Sequence, residues 1–208
     1  LRLGDGDAML GEGGMEAADK PDDSPAEHYV EAFGGGHFDA KPELVYTLVT
    51  KAPETIKWLN DLGVEFDKTD DGTMVTTHGG GTSRKRMHAC KDYSGAAIMR
   101  TLRDEVLNRA DMITVRDCTS AIEIIKDEKG NAAGAVLMNM ETREIYIAKA
   151  KTVIIATGGA GRMHYQGFPT SNHYGATADN LVLTYRAGAK LLYQDSLQYH
   201  HTGAAYPQ

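Results

Sequence analysis

Cysteine is scarce. Only Cys90 and Cys118 occur in 208 residues, 28 positions apart. With no CxxC and no Cys/His cluster, a zinc or iron–sulfur site carried by this chain is disfavoured. Two cysteines do not make a disulfide scaffold, and they point to a reducing compartment. Long hydrophobic runs are missing too. The longest, such as Thr152-Val153-Ile154-Ile155-Ala156, are strand-sized, far short of the ~18–20 residues of a membrane span. Positive charge is in deficit, with 22 Lys and Arg against 29 Asp and Glu and a net charge of −7. That argues against a nucleic-acid partner, because phosphate binding needs a cationic face. His28, His37, His78, His88, His164 and His173 show no HxxxH or HExxH spacing. They read as structural or solvated, and no metal site is expected.

What is present fits a folded chain. The sequence is 41% hydrophobic and 25% charged, close to globular averages. Its length suits one domain, or one and a fraction. Glycine is the outlier, at 23 of 208 residues against the usual ~7%. The glycines cluster at Gly13-Gly14, Gly34-Gly35-Gly36, Gly79-Gly80-Gly81 and Gly158-Gly159. Such clusters make loops, or let backbone approach a ligand closely. The chain opens on Leu1-Arg2-Leu3 without a Met or a signal peptide, and we expect a piece of a longer protein.

Ser24-Pro25 reads as an N-cap and first-turn proline, starting a helix that stops at Gly34. Pro42 opens a second helix, Pro53 is expected to break it, and a third runs to Gly63 with Trp58, Leu59 and Leu62 in the core. Val64–Phe66 and Met74–Thr77 predict a hairpin around Asp70-Asp71-Gly72. Gly79–Asp92 reads as a basic loop, with Arg84-Lys85-Arg86 a solvated face or, less favoured, a phosphate or carboxylate site. Ser94-Gly95 begins an amphipathic helix. Strands are predicted at 113–116, 121–126, 133–140 and 145–150, the last three a β-meander. The unbroken apolar run 152–156 reads as a strand buried on both faces, as in a parallel sheet. A helix over 179–186, with Thr177 or Asp179 as its N-cap, and a strand near 190–193 complete the pattern. The fold class is α/β, with a meander and surface helices on a nucleotide-binding architecture.

Four segments, spread over nearly the whole chain, resemble the flavoprotein subunits of succinate dehydrogenase and fumarate reductase, with L-aspartate oxidase as a relative. Glu12-Gly13-Gly14-Met15-Glu16-Ala17-Ala18 is similar to the family's first flavin-contacting loop. Asp22–Tyr29 and Gly34-Gly35-Gly36 follow as in its members. Ala156-Thr157-Gly158-Gly159-Ala160-Gly161-Arg162 resembles its strand-to-loop flavin signature. Thr177-Ala178-Asp179, Arg186-Ala187-Gly188-Ala189 and Gln198-Tyr199-His200-His201-Thr202-Gly203 resemble its TGD, RAGA and QFHPTG run.

The resemblance implies a partial FAD-binding, Rossmann-like domain over 1–208. The family's GxGxxG fingerprint would lie before Leu1. Its capping domain, with the proton-donating arginine, would lie beyond Gln208, so no catalytic acid is expected in this chain. Cofactor contacts are implied at Gly13, Gly14, Ala121, Ala156, Thr157, Gly158, Gly159 and Asp179, with Ala121 contributing backbone only. His200 and Thr202 are implied as carboxylate ligands of a C4-dicarboxylate. Aligning on Gly13-Gly14 puts Asp7 where covalently flavinylated members carry a histidine, so FAD is expected to be non-covalent. The implied activity is interconversion of succinate and fumarate by hydride transfer at flavin N5. The implied partners are a quinone-binding membrane anchor and an iron–sulfur subunit, with the protein cytoplasmic and peripheral to the membrane. The alternatives are an L-aspartate oxidase or other dicarboxylate flavoenzyme, and a non-catalytic flavin-fold scaffold.

Overall fold

The computed structural model describes residues 2–163 and 170–198. It divides into two units, residues 1–117 and 118–208. In the first, α1 spans Pro25–Gly35, and the Ser24 hydroxyl accepts the Glu27 N–H at 3.2 Å. The Ser-Pro signal is thus a real cap, relieving one orphan donor of the first turn. Helix α2 runs unbroken over Pro42–Asp61 with Pro53 inside it, against the expected break. Proline removes one backbone bond at about 3 kcal/mol. Here Val49, Ile56 and Leu59 are buried on both sides of Pro53. Each such side chain contributes about 1.5–3 kcal/mol, so one continuous buried stripe outweighs the lost bond. Trp58 is 51% exposed rather than core. Two positions from Ile56, it falls on the other side of the helix.

The core of this unit joins Ile56 and Leu59 to Ala17, Val64, Phe66, Cys90 and Ala97, the last from α3, Ser94–Asn108. Burial, reinforced by the charges of Asp67 and Glu65, pushes the Cys90 thiol up, so it stays an inert thiol. The expected hairpin is reduced. The turn forms at Gly72, with φ 84°, but its arms meet only in one bridge, Lys68 to Met74. Val64–Phe66 is not a strand, and the Asp67 N–H bonds the Ala89 carbonyl at 2.8 Å instead. The return segment, β2 at Thr76–His78, pairs with β3 at Lys85–His88. The predicted basic loop therefore holds the central strand of a sheet ordered β1-β3-β2, where β1 is Met15–Glu16.

The reason lies in Arg86. Register passes from Thr77–Met87 to His78–Lys85, leaving Arg86 as the extra residue of a bulge. A bulge re-aims its side chain, and Arg86 is fully buried. Its guanidinium grips Asp23 with two bonds, Nε to Oδ2 at 2.7 Å and Nη2 to Oδ1 at 2.9 Å. Nη1 reaches Glu31 of α1 at 2.5 Å. Ser83 also donates to Glu31, and Arg84 pairs with Glu27 at 3.3 Å. The two arginines thus face their own chain's acids rather than a ligand. His28 and His88 are buried as well. His88 Nε2 lies 2.9 Å from Asp19, and His28 Nε2 lies 3.6 Å from Glu16.

In the second unit β4 (Thr119–Lys126), β5 (Ala132–Asn139) and β6 (Ile145–Lys149) form the predicted antiparallel meander. Helix α4, Asp179–Ala187, packs on β4. Besides Val64–Phe66, three predicted strands are not formed, the first of them at the end of the first unit. The Ile113 N–H folds back to the Arg109 carbonyl at 2.8 Å at the end of α3. Residues 152–156 find no ladder partner among the described residues, and Ile154 is 86% exposed, so the double burial is corrected. An apolar run becomes a strand only where a neighbour takes its backbone groups. Residues 190–193 are in no strand, and the chain turns just after them at 194–195, with Tyr193 at φ 53° and its carbonyl accepting the Ser196 N–H.

Removing one partner of a buried pair leaves an unpaired charge. Arg86→Met is therefore expected to lower the unfolding free energy by about 3–5 kcal/mol, read from urea unfolding through Trp58 fluorescence. Burial raises the Asp23 carboxyl, but the Arg86 and Ser24 hydrogen bonds outweigh it and hold the pKa down. The Ser83 hydroxyl and then Arg86 hold Glu31 down despite some burial. Burial, then the Arg86 charge, lowers His28. All three folded values lie below the unfolded ones. Their contribution is complete above the ordinary histidine range and is lost as pH falls through it and then through the carboxylate range. The urea midpoint should fall from pH 8 to 5 and again to 3; a flat profile contradicts the network's role.

Candidate functional site

The first unit supplies one glycine loop. A 3₁₀ turn at Asp7–Leu10 precedes it, and Gly95 at the start of α3 donates its N–H to the Gly11 carbonyl at 2.8 Å. Asp7 sits in that turn, partly exposed. Gly14 and Gly13 then do different work. A Cβ on Gly14 would lie 2.2 Å from the His88 carbonyl oxygen, so no side chain fits between this loop and β3. A Cβ on Gly13 would meet nothing within 4 Å among the described residues. The loop is closed on one face and open on the other. Ser94, the first residue of α3, is buried beneath it; its hydroxyl donates to the Gly13 carbonyl and accepts the Cys90 N–H at 2.9 Å.

The second unit carries a glycine loop of its own. Ala156 and Thr157 lead, exposed, into Gly158, whose φ of 83° favours glycine. The Gly158 carbonyl accepts from Asn180 Nδ2 at 3.0 Å, and the Gly159 carbonyl accepts the Ala178 N–H at 3.1 Å. The Arg162 N–H bonds the Ala176 carbonyl at 2.9 Å. The loop is thus clasped onto the start of α4, which brings Gly158, Gly159 and Asp179 together. The predicted cap is corrected. Ala178 is the N-cap residue, in the left-handed region at φ 60°, and no side chain caps the helix. Asp179 is the first helical residue, and its carboxylate accepts from Thr177 Oγ1 at 2.6 Å. A carboxylate there still complements the helix dipole. Ala121 lies in β4, opposite Leu137 of β5. His200 and Thr202 lie outside the described residues.

Each loop, taken within its own unit, leaves main chain open to a bound group. At Gly13, Gly158 and Gly159 a Cβ would meet nothing within 4 Å among the described residues, so a flat ring or a phosphate can come against the main chain. Asn180 Oδ1 is buried without a hydrogen-bond partner among the described residues. It is an acceptor suited to a hydroxyl or N–H of a bound group. Among the described residues no group of His, Cys, Asp and Glu could hold a metal ion. Residue-type reasoning missed Ser94 and Asn180. Ser94 read only as a helix start, and Asn180 was not singled out.

The fold agrees with the comparisons. The model of the FAD binding domain family matches residues 4–206, and the chain belongs to that family. Its cofactor is FAD. An uncharacterised FAD-dependent oxidoreductase of Methanocaldococcus jannaschii is 36% identical over 200 residues, covering 95% of this chain and 36% of that protein. A fumarate reductase (CoM/CoB) polypeptide of Methanothermobacter marburgensis is 31% identical, covering 96% and 36%. L-aspartate oxidase of Streptomyces coelicolor is also 31% identical, covering 97% and 34%. The solved structure of Mycobacterium smegmatis Sdh1 in complex with UQ1 superposes with a TM-score of 0.83 at 30% identity, over 89% of this chain and 33% of that one. The chain thus spans about a third of the length of these relatives.

The two glycines of the first loop predict opposite outcomes. Gly14→Ala forces a Cβ onto backbone and should destabilise by about 1–3 kcal/mol. Gly13→Ala should leave the melting temperature unchanged within about 2 °C, since nothing opposes its Cβ. Thermal unfolding of both variants checks this, and equal losses would contradict the open-and-closed geometry.

Proposed function

We propose that this chain is the central part of an FAD-dependent oxidoreductase that interconverts succinate and fumarate. The observation that carries the reading is the joint match, along nearly the whole chain, to a fumarate reductase and to the Sdh1 structure. Bound FAD supplies the redox chemistry, taking or giving hydride at N5. The chain's own residues bind and orient. Gly13 and Gly14 bring backbone to the flavin ring, where hydrogen bonds tune it. Gly158, Gly159 and Asp179 hold the cofactor at the α4 end, with Ala156, Thr157 and the Ala121 backbone beside it. With Asp7 in place of a histidine, FAD is held without a covalent bond.

His200 and Thr202 donate hydrogen bonds to a substrate carboxylate, which polarises the alkene in the reductive direction. The proton-donating group lies outside this chain. The 1–208 segment is then a partial FAD-binding domain, its electrons passing to an iron–sulfur subunit, then to a quinone-binding membrane anchor. A cytoplasmic location, peripheral to the membrane, follows from those partners. Among the described residues no helix is long and apolar enough to cross a membrane. L-aspartate oxidation is the second reading, favoured by the equal 31% identity to that enzyme.

In the full-length protein, succinate should reduce the flavin and L-aspartate should not. His200→Ala should lower kcat/KM for succinate about 10–100-fold, the worth of one charge-assisted hydrogen bond to a substrate anion. Oxidation of aspartate alone would replace this reading with the second. A protein that carries no flavin and oxidises neither would leave the scaffold alternative.

A further inference from the structure

The buried hydroxyl of Ser94 is tied to the flavin loop rather than to its own helix. We propose that Ser94 is a positioning residue that sets the orientation of the Gly13–Gly14 peptide, and through it the affinity and potential of the flavin. The inference rests on the reading of Gly13 and Gly14 as flavin-contacting backbone.

Ser94 is 3% exposed. Its Oγ accepts the Cys90 N–H at 2.9 Å and donates to the Gly13 carbonyl. The first bond uses a hydroxyl lone pair and fixes where the proton goes; the second spends that proton on the loop. In a planar trans peptide the carbonyl of Gly13 and the N–H of Gly14 point to opposite sides. Holding the carbonyl inward therefore turns the Gly14 N–H toward the open face of the loop, where a Cβ on Gly13 meets nothing within 4 Å. Two consecutive glycines have the widest backbone freedom, so this peptide needs an external hold. No other side chain donates to the Gly13 carbonyl among the described residues. A backbone donor against the flavin stabilises its electron-rich reduced form, so a loosened donor lowers the midpoint potential.

The test uses the full-length protein, with FAD as the probe. Ser94→Ala should raise the FAD dissociation constant about 5–10-fold, the worth of about one hydrogen bond, and shift the flavin midpoint potential downward. Ser94→Thr, which keeps the hydroxyl, should restore both. If Ser94→Ala does not fold, Ser94→Cys gives the same comparison, since it keeps the volume and weakens the donor; it should follow the alanine pattern at a wild-type melting temperature. Gly13→Val is the control for the underlying reading. If it loses FAD while the Ser94 variants match wild type in affinity and potential, the role of Ser94 is overturned and the flavin-loop reading stands. If Gly13→Val binds FAD as wild type does, both are overturned.

Discussion

The double hydrogen bond between Arg86 and Asp23 is the constraint on which the first unit depends. An arginine at a bulge in the middle strand of a sheet has nowhere to put its charge except into a partner. Asp23 meets it with both oxygens, and Glu31 takes a third N–H. This fixes three things at once: the path of the segment after β1, the first turn of α1, and the height of β3. The height of β3 matters because the His88 carbonyl forms the floor against which Gly14 passes. A buried ion network some residues away thus decides how closely the glycine loop can lie on its sheet.

The second unit reaches a similar end by other means. Its glycine loop is held by hydrogen bonds from α4, through Asn180 and the Ala178 N–H, rather than by a charged pair. In both loops carbonyls are turned inward and the outer face is left clear. Glycine has two separate duties here. Gly14 and Gly134 lie where another backbone carbonyl leaves no room for a Cβ, whereas Gly13, Gly158 and Gly159 lie under open space. Only the second group suits a flat cofactor approached edge or face on.

Local signals were legible where local chemistry decides. The Ser24-Pro25 cap, the amphipathic α3 and the alternating meander all appear as predicted, because capping and periodicity act within a few residues. Pro53 was misleading, since its penalty is local while the buried stripe on either side is tertiary. Arg84-Lys85-Arg86 read as a solvated run, because nothing nearby in sequence announces that Asp23, more than sixty positions earlier, is its partner. The run 152–156 showed the apolar content of a buried strand, but a strand also needs a neighbour. Of the candidate site, the glycine loops and Asp179 were legible as motif; Ser94 and Asn180 were not, because each acts through a bond to a distant backbone carbonyl.

The most direct test of the central claim is a visible spectrum of the purified full-length protein, taken before and after acid precipitation, with its intact mass. The account predicts flavin bands in the native protein, a mass several times that of this chain, and FAD released into the acid supernatant. A protein that carries no flavin would contradict the account at its base. Flavin that stays with the precipitate would contradict non-covalent binding and the argument built on Asp7.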